Sequence, residues 1–284
     1  MRVIVCLAAA LIASPALAQT APTPPDATDI SEQMGRDSIT IGGGVVRLPD
    51  YEGSDEYRLT PAPGAIGSIK GFSFQLAGNR LSVDLIPRTT SAIDIQAGPI
   101  GVLNLNRRNV DNVDERGVRA LGDLGTAIEL GGFVGIAKTG IITSPYDTLG
   151  VSLSYRTDVN GVHGSGIWQP SINYLTPLSR KAAVALFATA EHAGDGYART
   201  YFGVTQAGSV ASGLRRFDAD GGWKNWSVGT VATYSLTGDL FKGFKLVAGG
   251  TYGRLLGDFA DSPLVSTLGS RSQWLGALGL AYTF

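Results

Sequence analysis

Residues able to bind a metal ion or exchange protons are concentrated in one short stretch, LPDYEGSDEYRLTPAP, at 48–63. Its carboxylates are Asp50, Glu52, Asp55 and Glu56. Carboxylate oxygens are preferred ligands of Ca²⁺, but the stretch lacks the ligand order of an EF-hand loop, in which a glycine and a terminal bidentate glutamate have fixed places. We therefore predict a structural or recognition loop here and no metal site.

The chain has two histidines, His163 and His192, and neither has a partner that the sequence places beside it. His163 lies in a glycine-rich turn, where Asp158 is the nearest acid. Glu191 precedes His192 on a predicted strand, and adjacent strand residues point to opposite faces, so the two side chains would not meet. Ser212 is a conceivable nucleophile for His192, but no spacing supports the pair. We predict two solvated rim histidines, no catalytic residue and no cofactor.

The N-terminal residues MRVIVCLAAALIASPALAQT have the features of a secretory signal peptide. Arg2 is followed by an apolar run at 3–13 and by small residues before a cleavage point near Ala18. The sole cysteine, Cys6, would be removed with this segment, which leaves no thiol for a disulfide or a metal. We predict a signal peptide at 1–18, a flexible periplasmic leader at 19–36 and one folded domain at 37–284.

The last residues, QWLGALGLAYTF, alternate between a large apolar face and a small or polar face. This period of two is typical of a strand with one apolar side. Trp274, Leu278, Leu280, Tyr282 and Phe284 share the apolar face. A strand that ends on an aromatic residue is similar to the assembly signal of bacterial outer-membrane barrels, so we assign that role to Tyr282 and Phe284 and expect the barrel assembly machinery as a partner.

The same alternation recurs along the whole chain. Each alternating segment has the length that a tilted membrane strand needs. The candidate strands are 38–48, 64–76, 80–86, 92–105, 124–137, 148–159, 166–178, 182–193, 199–204, 225–237, 244–256 and 273–284. Because lipid cannot hydrogen-bond a free sheet edge, such strands must close on themselves. The predicted fold is an all-β, transmembrane, antiparallel up-and-down β-barrel of 12 strands, with 10 as the alternative.

The strand count depends on the segment 199–204. If PLSRK at 177–181 is a tight periplasmic turn, 199–204 belongs to a long outer loop and the count changes. The side of the membrane on which the 49–61 loop lies depends on the same choice. Pro61 and Pro63 lack the N–H that a ladder needs, so we expect them to precede the second strand rather than to join it.

Composition excludes some functions. The net charge of −1 gives no basic surface for nucleic acid. A mean hydropathy of +0.11 lies between that of soluble proteins and that of helical membrane proteins, as expected when alternate residues face lipid.

Four segments resemble the MipA/OmpV family, which includes MltA-interacting proteins, in order and spacing. They are PDYEGSDEYRLTPAP at 49–63, YFGVTQAGSVASGLRRFDADGG at 201–222, RLLGDFADSPLV at 254–265 and the terminal LAYTF. The charged loop at 107–125 is similar to the family's loop rich in arginine and aspartate. The resemblance implies a barrel in the Gram-negative outer membrane, in contact with lipopolysaccharide. It also implies a scaffold that joins a lytic transglycosylase to a penicillin-binding protein.

From the resemblance and the lack of a triad, the expected function is a non-enzymatic scaffold for murein remodelling. The alternatives are a narrow porin-like channel or an adhesin and, more weakly, a lipid-modifying enzyme that uses His192. Exposed loop residues are the candidates for recognition. They are Asp50, Tyr51, Glu52, Asp55, Tyr57, Arg215, Arg216, Asp258 and Asp261.

Overall fold

The computed structural model describes residues 37–87 and 92–284. The predicted signal peptide and leader lie outside the described residues. The strands are β1 Ser38–Pro49, β2 Tyr57–Ile69, β3 Phe72–Ala77, β4 Arg80–Asp84, β5 Ile93–Asn104, β6 Ala127–Thr139, β7 Thr148–Asp158, β8 Gly166–Pro177, β9 Ala182–Ala193, β10 Gly222–Ser235, β11 Gly243–Leu255 and β12 Ser272–Thr283. Each strand pairs antiparallel with its neighbours in sequence, and β1 pairs with β12 to close the barrel. The predicted 12-strand antiparallel barrel is confirmed.

Two of the predicted strands are wrong, and the errors cancel in the count. The segment 199–204 is mostly helical, because its aromatic side chains pack into a core rather than against lipid. The segment 64–76 contains two strands, since Lys70 and Gly71 turn the chain with φ angles of 52° and 85°.

The outer wall of the barrel is apolar, and the lumen carries the polar side chains. On β7, Val151 and Leu153 are 47% and 41% exposed, whereas Ser154 and Arg156 are 3% and 6% exposed. A soluble domain would bury the first pair and expose the second. The exposed apolar side chains therefore form the lipid-facing surface that a membrane barrel requires.

The two ends of the barrel differ. At one end, here called the turn end, short connections join β2 to β3, β6 to β7, β8 to β9 and β10 to β11. At the other, the loop end, the connections include residues 50–56, 105–126, 159–165, 194–221 and 256–271, and three of them, 105–126, 194–221 and 256–271, are much longer than any connection at the turn end. They contain a 3₁₀ turn at Val110–Asn112 and the helices α1 Arg116–Arg119, α2 Asp195–Phe202, α3 Gln206–Ser212, α4 Gly257–Asp261 and α5 Pro263–Ser266. None of the helices in the described part of the chain has the length and apolarity needed to span a bilayer.

The wall has a notch at its loop-end half, between β2 and the loop that follows β5. The hairpin of β3 and β4 is short, and its tip at Gly78 reaches only to the level of Pro63. Above it, the edge of β2 from Tyr57 to Ala62 has no strand partner on that side within the described residues. At about 3.3 Å per residue, this leaves roughly 20 Å of strand edge without a ladder.

Pro61 and Pro63 lie inside β2, paired with Val45 and Gly43, so the prediction that they precede the second strand is wrong. Pro63 accepts a hydrogen bond from the N–H of Gly78, so its backbone faces β3. Pro61, two residues away, faces the same way and therefore faces the notch. Proline is tolerated at a strand edge because no partner there needs its missing N–H.

Candidate functional site

The loops at the loop end fold together into a cap across the mouth of the barrel. We use "loop cap" for residues 50–56, 105–126, 194–221 and 256–271. One buried cluster contains side chains from all four segments and comprises Tyr51, Val113, Val118, Val204, Leu214 and Leu264. A second cluster joins α2 and α4 to the barrel rim, and its largest members include Tyr201, Phe202 and Phe259. The main apolar core of this protein therefore closes one end of its lumen.

Helix α2 contributes most of one face to this core. Tyr197, Ala198, Tyr201 and Phe202 are all 2% exposed or less, and their spacing places them on one side of a helix. The ring of Phe202 meets that of Phe259 edge to face, with centroids 5.1 Å apart. Burial raises the pKa of the Tyr201 phenol above its usual range, and the charge of Glu129 raises it further.

The carboxylate-rich stretch at 50–56 is part of the cap rather than a solvent-exposed loop. Tyr51 is 2% exposed, and its hydroxyl donates to the carbonyl oxygens of Leu264 and Leu268, at 2.9 and 3.1 Å. Asp50 is 5% exposed and accepts a hydrogen bond from the N–H of Asp114. Gly53 has a φ of 102°, a conformation that favours glycine. The stretch therefore ties β1 and β2 to two other loops.

A cluster of buried charges lies directly beneath the cap. We use "lumenal charge cluster" for Glu52, Glu129, Arg156, Glu191 and Lys224. The Nε of Arg156 is 2.6 Å from Glu129, and its Nη2 is 2.7 Å from Glu191. The Nζ of Lys224 is 2.6 Å from Glu191 and 2.7 Å from Glu52. Four of these side chains come from separate strands, and Glu52 comes from the cap, so the ion pairs connect the cap to the barrel wall.

Tyr197 strengthens the same connection. Its hydroxyl donates to the Glu52 carboxylate over 2.7 Å, and it accepts a hydrogen bond from the Nζ of Lys224 over 3.3 Å. Burial raises the pKa of Tyr197 well above its usual range, and the negative charge of Glu52 raises it further. The phenol therefore remains a hydrogen-bond donor to Glu52 across the physiological pH range.

His163 does not lie at a solvated rim, as the sequence suggested. Its side chain is fully buried, with Nε2 3.4 Å from Glu129 Oε1 and the rings of Tyr197 and Tyr201 at centroid distances of 5.1 and 5.8 Å. Asp158 instead binds the backbone N–H of His163. Sequence reasoning missed Glu129 as a neighbour because the two residues meet only when the loop at 159–165 folds into the lumen.

His192 points away from Glu191, as expected from strand alternation. Its ring packs edge to face against that of Trp223, with centroids 5.5 Å apart, while Glu191 faces the lumen. The signal for the lumenal charge cluster was present in the sequence. Glu129, Arg156, Glu191 and Lys224 all lie on lumen-facing positions near the loop end of their strands.

The other predicted recognition residues are divided between internal and exposed places. Asp55, Arg215, Arg216 and Asp261 are exposed. Arg215 donates to the carbonyl oxygen of Asp261 at 2.9 Å. Asp258 is half-buried and accepts the N–H of Asp220.

Tyr57, Tyr282 and Phe284 lie on the barrel wall. The hydroxyl of Tyr57, at the loop end, accepts the N–H of Trp274. At the turn end, the rings of Tyr282 and Phe284 are 4.9 Å apart and continue to Phe244. This aromatic group lies on the outer face, as expected for a membrane-interface girdle.

Beneath the cap, one half of the lumen is a cavity of about 980 Å³. It extends along β1, β2, β11 and β12 from Glu52 and Tyr197 at the cap to Lys245 and Thr283 at the turn end. Its lining includes Pro61 and the tip of the β3–β4 hairpin at Gly78 and Asn79, so it extends to the level of the notch in the wall. The described residues contain no group of three or more side chains suited to holding a metal ion.

These observations define a transmembrane β-barrel whose loop end is sealed by a packed cap and anchored by buried ion pairs. A family model described as "MltA-interacting protein MipA" matches residues 41–284, and the chain belongs to this family. No curated protein sequence gave a match.

Among solved structures, the chain is similar to the toluene transporter TodX of Pseudomonas putida, with 11% identity, a TM-score of 0.38 and coverage of 91% of this chain and 93% of that one. The outer membrane channel DcaP of Acinetobacter baumannii gives 10% identity, a TM-score of 0.38 and coverage of 88% and 96%. The translocator domain of the autotransporter NalP from Neisseria meningitidis gives 10% identity, a TM-score of 0.33 and coverage of 90% of this chain and 93% of that one. Similarity this low assigns no function.

Proposed function

We propose that this protein is a non-enzymatic outer-membrane barrel that docks a periplasmic lytic transglycosylase through its turn end and thereby scaffolds murein remodelling. The observation that carries the proposal is the family match over 41–284, because that family is described by its interaction with such an enzyme. The sealed loop end supports it, since a packed cap suits a docking protein better than an open diffusion pore.

Orientation follows from the asymmetry of the two ends. Outer-membrane barrels have short periplasmic turns and longer extracellular loops. By this rule the loop cap lies outside the cell and the turn end faces the periplasm, where murein enzymes act. The loop at 49–61 would then lie on the outside, and Asp55, Arg215, Arg216 and Asp261 would be available to lipopolysaccharide or another surface.

The turn end has exposed side chains on rigid turns. Ile142 and Leu178 are 64% and 65% exposed, and the cations Arg180 and Lys181 are exposed beside Leu178. In the turn between β8 and β9, the hydroxyl of Ser179 accepts two backbone N–H groups at 3.1 Å. A surface that is already ordered loses little conformational entropy when a partner binds.

Asp147 rigidifies the turn between β6 and β7. It is fully buried and accepts hydrogen bonds from the N–H groups of Ile141 and Ile142, at 2.7 and 2.9 Å, and from the hydroxyl of Tyr174, at 2.8 Å. Burial alone would raise its pKa, but the hydrogen bonds, with that of the Thr143 N–H the largest, hold the pKa well below its usual range. Ile142 is therefore presented on a turn that stays ordered at neutral pH.

The buried histidine supports a non-enzymatic function. A hydrolase would need a hydroxyl or thiol nucleophile within hydrogen-bond reach of the base. His163 faces Glu129 and two tyrosines instead, and Glu129 is already bound by Arg156 and Asn104. The Glu129 carboxylate therefore acts as a counter-ion of Arg156 within a closed network of hydrogen bonds.

Co-purification tests the docking proposal. Full-length barrel is extracted in mild detergent after brief crosslinking, and we expect a lytic transglycosylase or a penicillin-binding protein in the eluate. Leu178→Glu, on the turn end, should reduce that recovery, whereas Arg216→Glu, on the loop cap, should leave it unchanged. Wild-type barrel that recovers neither enzyme, or two variants that behave alike, would contradict the proposal.

A narrow channel is the competing function, and it makes an opposite prediction. The lumen of a porin conducts ions, whereas a barrel closed by the loop cap should give no conductance steps in a planar bilayer. Steady stepwise conductance by wild-type protein would favour the channel and would reject the cap as a seal.

A further inference from the structure

We propose that the lumen cavity is a binding site for a single-chain anionic amphiphile, a long-chain carboxylate, with its head group between Lys245 and Thr233 and its chain directed towards the notch in the wall. This inference does not depend on docking of a murein enzyme. It rests on a buried cation, a buried hydroxyl without a partner and an apolar wall that meet in one cavity.

The cation is Lys245, on the lumen face of β11 near the turn end. It is 3% exposed, and its ammonium group donates to the hydroxyl of Thr283. Within the described part of the chain it forms no ion pair, although Asp239 in the turn between β10 and β11 acts on it at longer range. A buried ammonium is costly to desolvate unless an anion meets it.

The hydroxyl belongs to Thr233 on β10. Thr233 is 3% exposed, and its Oγ1 has no hydrogen-bond partner among the described residues. Ser235 is paired with Lys245 and Thr233 with Val247, so Thr233 and Lys245 are diagonal neighbours on the lumen face. Such neighbours are about 7–8 Å apart at Cα, a spacing at which an ammonium and a hydroxyl donor can bind one carboxylate. Both side chains line the cavity.

The wall above this pair is apolar, although barrel lumens are usually polar. Lumen-facing residues of β1, β2, β11 and β12 line the cavity, and the apolar ones include Val46, Ala62, Ile66, Val247, Leu275 and Ala277. Polar side chains interrupt this wall at Thr40, Thr60 and, near the cap, Arg58. The charges in the opposite half of the lumen are paired with one another beneath the cap. One cationic end and one long apolar side match a carboxylate that bears a hydrocarbon chain.

The size and path of the cavity fit the same ligand. A volume of about 980 Å³ lies at the upper end of the roughly 300–1,000 Å³ range of small-molecule sites. The lining extends from Lys245 to the tip of the β3–β4 hairpin at Gly78 and Asn79, where the wall has its notch. A chain directed from Lys245 along this lining would therefore end beside the notch.

Comparison of two ligands that differ only in their head group tests the proposal directly. Folded full-length barrel in nanodiscs of zwitterionic lipid is titrated with dodecanoate carrying a ¹³C label at its carboxyl carbon, and protein-free nanodiscs give the blank. We expect a protein-dependent bound resonance. Lys245→Met should weaken dodecanoate binding about tenfold or more, because a charged hydrogen bond is lost. Binding of dodecanol, which has no charge, should change little.

Three further variants separate a specific site from general damage. Lys245→Arg keeps the charge and should keep most of the binding, and Lys242→Met, on an exposed lysine of the adjoining turn, should keep all of it. Ala277→Phe fills the apolar wall and should weaken dodecanoate and dodecanol alike. Absence of a protein-dependent resonance would overturn the proposal, and so would equal effects of Lys245→Met and Lys242→Met on dodecanoate.

Discussion

Lys224 provides the strongest test of how the loop cap is held shut. It is 3% exposed and forms ion pairs with Glu52 on the cap and Glu191 on the barrel wall. Lys224→Met keeps the length of the side chain and removes the charge. Glu191 keeps Arg156 as a partner at 2.7 Å, whereas Glu52 keeps only the hydroxyl of Tyr197. The variant therefore leaves one half-buried carboxylate, that of Glu52, without a counter-ion.

The free-energy cost of Lys224→Met follows from the partners that the two carboxylates keep. Removing one partner of a buried pair costs about 3–5 kcal/mol. The Glu52 side chain is 23% exposed and can be partly hydrated, so we take the lower value, about 3 kcal/mol. The cost falls on the closed cap and not on the barrel ladder. It should raise the population of the open cap about a hundredfold, at roughly 1.4 kcal/mol per tenfold.

A reporter cysteine measures this opening. The predicted mature chain has no cysteine, and Val204 in the cap core is 1% exposed, so Val204→Cys gives a thiol that reacts only when the cap opens. We expect Lys224→Met to increase the rate of labelling by a membrane-impermeant maleimide about a hundredfold. Lys242→Met, at the turn end, is the matched control and should leave the rate unchanged.

The double variant Lys224→Met with Glu52→Gln measures the coupling free energy between the two side chains. If Lys224 acts by neutralising Glu52, removal of the carboxylate charge should recover part of the loss, with a coupling of about 0.5–3 kcal/mol. A folded Lys224→Met barrel that labels within about threefold of wild type would refute the reasoning that the ion pairs anchor the cap.

Other substitutions test the remaining parts of the structure. Asp147→Asn should expose the turn that carries Ile142 to proteolysis at neutral pH, at a local cost of about 2–3 kcal/mol, because an amide cannot accept all the same donors. The folded-state pKa of Asp147 is depressed, so the stability that wild type has over the variant is fully present above the unfolded pKa of ~4. This stability is lost only as the pH falls through the lower folded pKa. Wild type and variant that become equally resistant to proteolysis already above pH ~5 would contradict this. Tyr51→Phe should cost about 1–2 kcal/mol and raise the labelling rate at the cap about tenfold, and an unchanged rate would show that its hydroxyl does not hold the loops together. Phe284→Ala should lower the yield of assembled barrel in cells while Phe284→Tyr retains it, and equal yields would remove its role as an assembly signal. Exchange of both His163 and His192 for glutamine should leave phospholipid and lipid A profiles unchanged, whereas a changed profile would support an enzyme.

The barrel itself was predictable because alternation is a local property. Strand residues alternate between lipid and lumen, so segments such as 148–159 carry the signal without reference to any other part of the chain. The prediction failed at 199–204, a short segment rich in residues that favour strands. There Tyr201 and Phe202 pack with Phe259, a partner more than fifty residues away that local pattern cannot reveal.

The stretch at 48–63 shows the same limit for the candidate site. From the sequence, Asp50, Tyr51 and Glu52 are plausible surface recognition residues. In the fold, Tyr51 binds carbonyl groups more than two hundred residues away, and Glu52 meets Lys224 on β10. Long-range contacts of this kind depend on closure of the barrel, which brings the ends of distant strands to one rim.

By itself, the sequence determined the class of fold, the lipid-facing residues and the family resemblance, because each follows from the order and spacing of nearby residues. Only the tertiary structure decided that the loops seal the lumen, that His163 is buried against Glu129 and that Lys245 and Thr233 share one cavity. The physical reason is that strand register and loop packing decide which side chains meet, and both are set by contacts across the whole barrel.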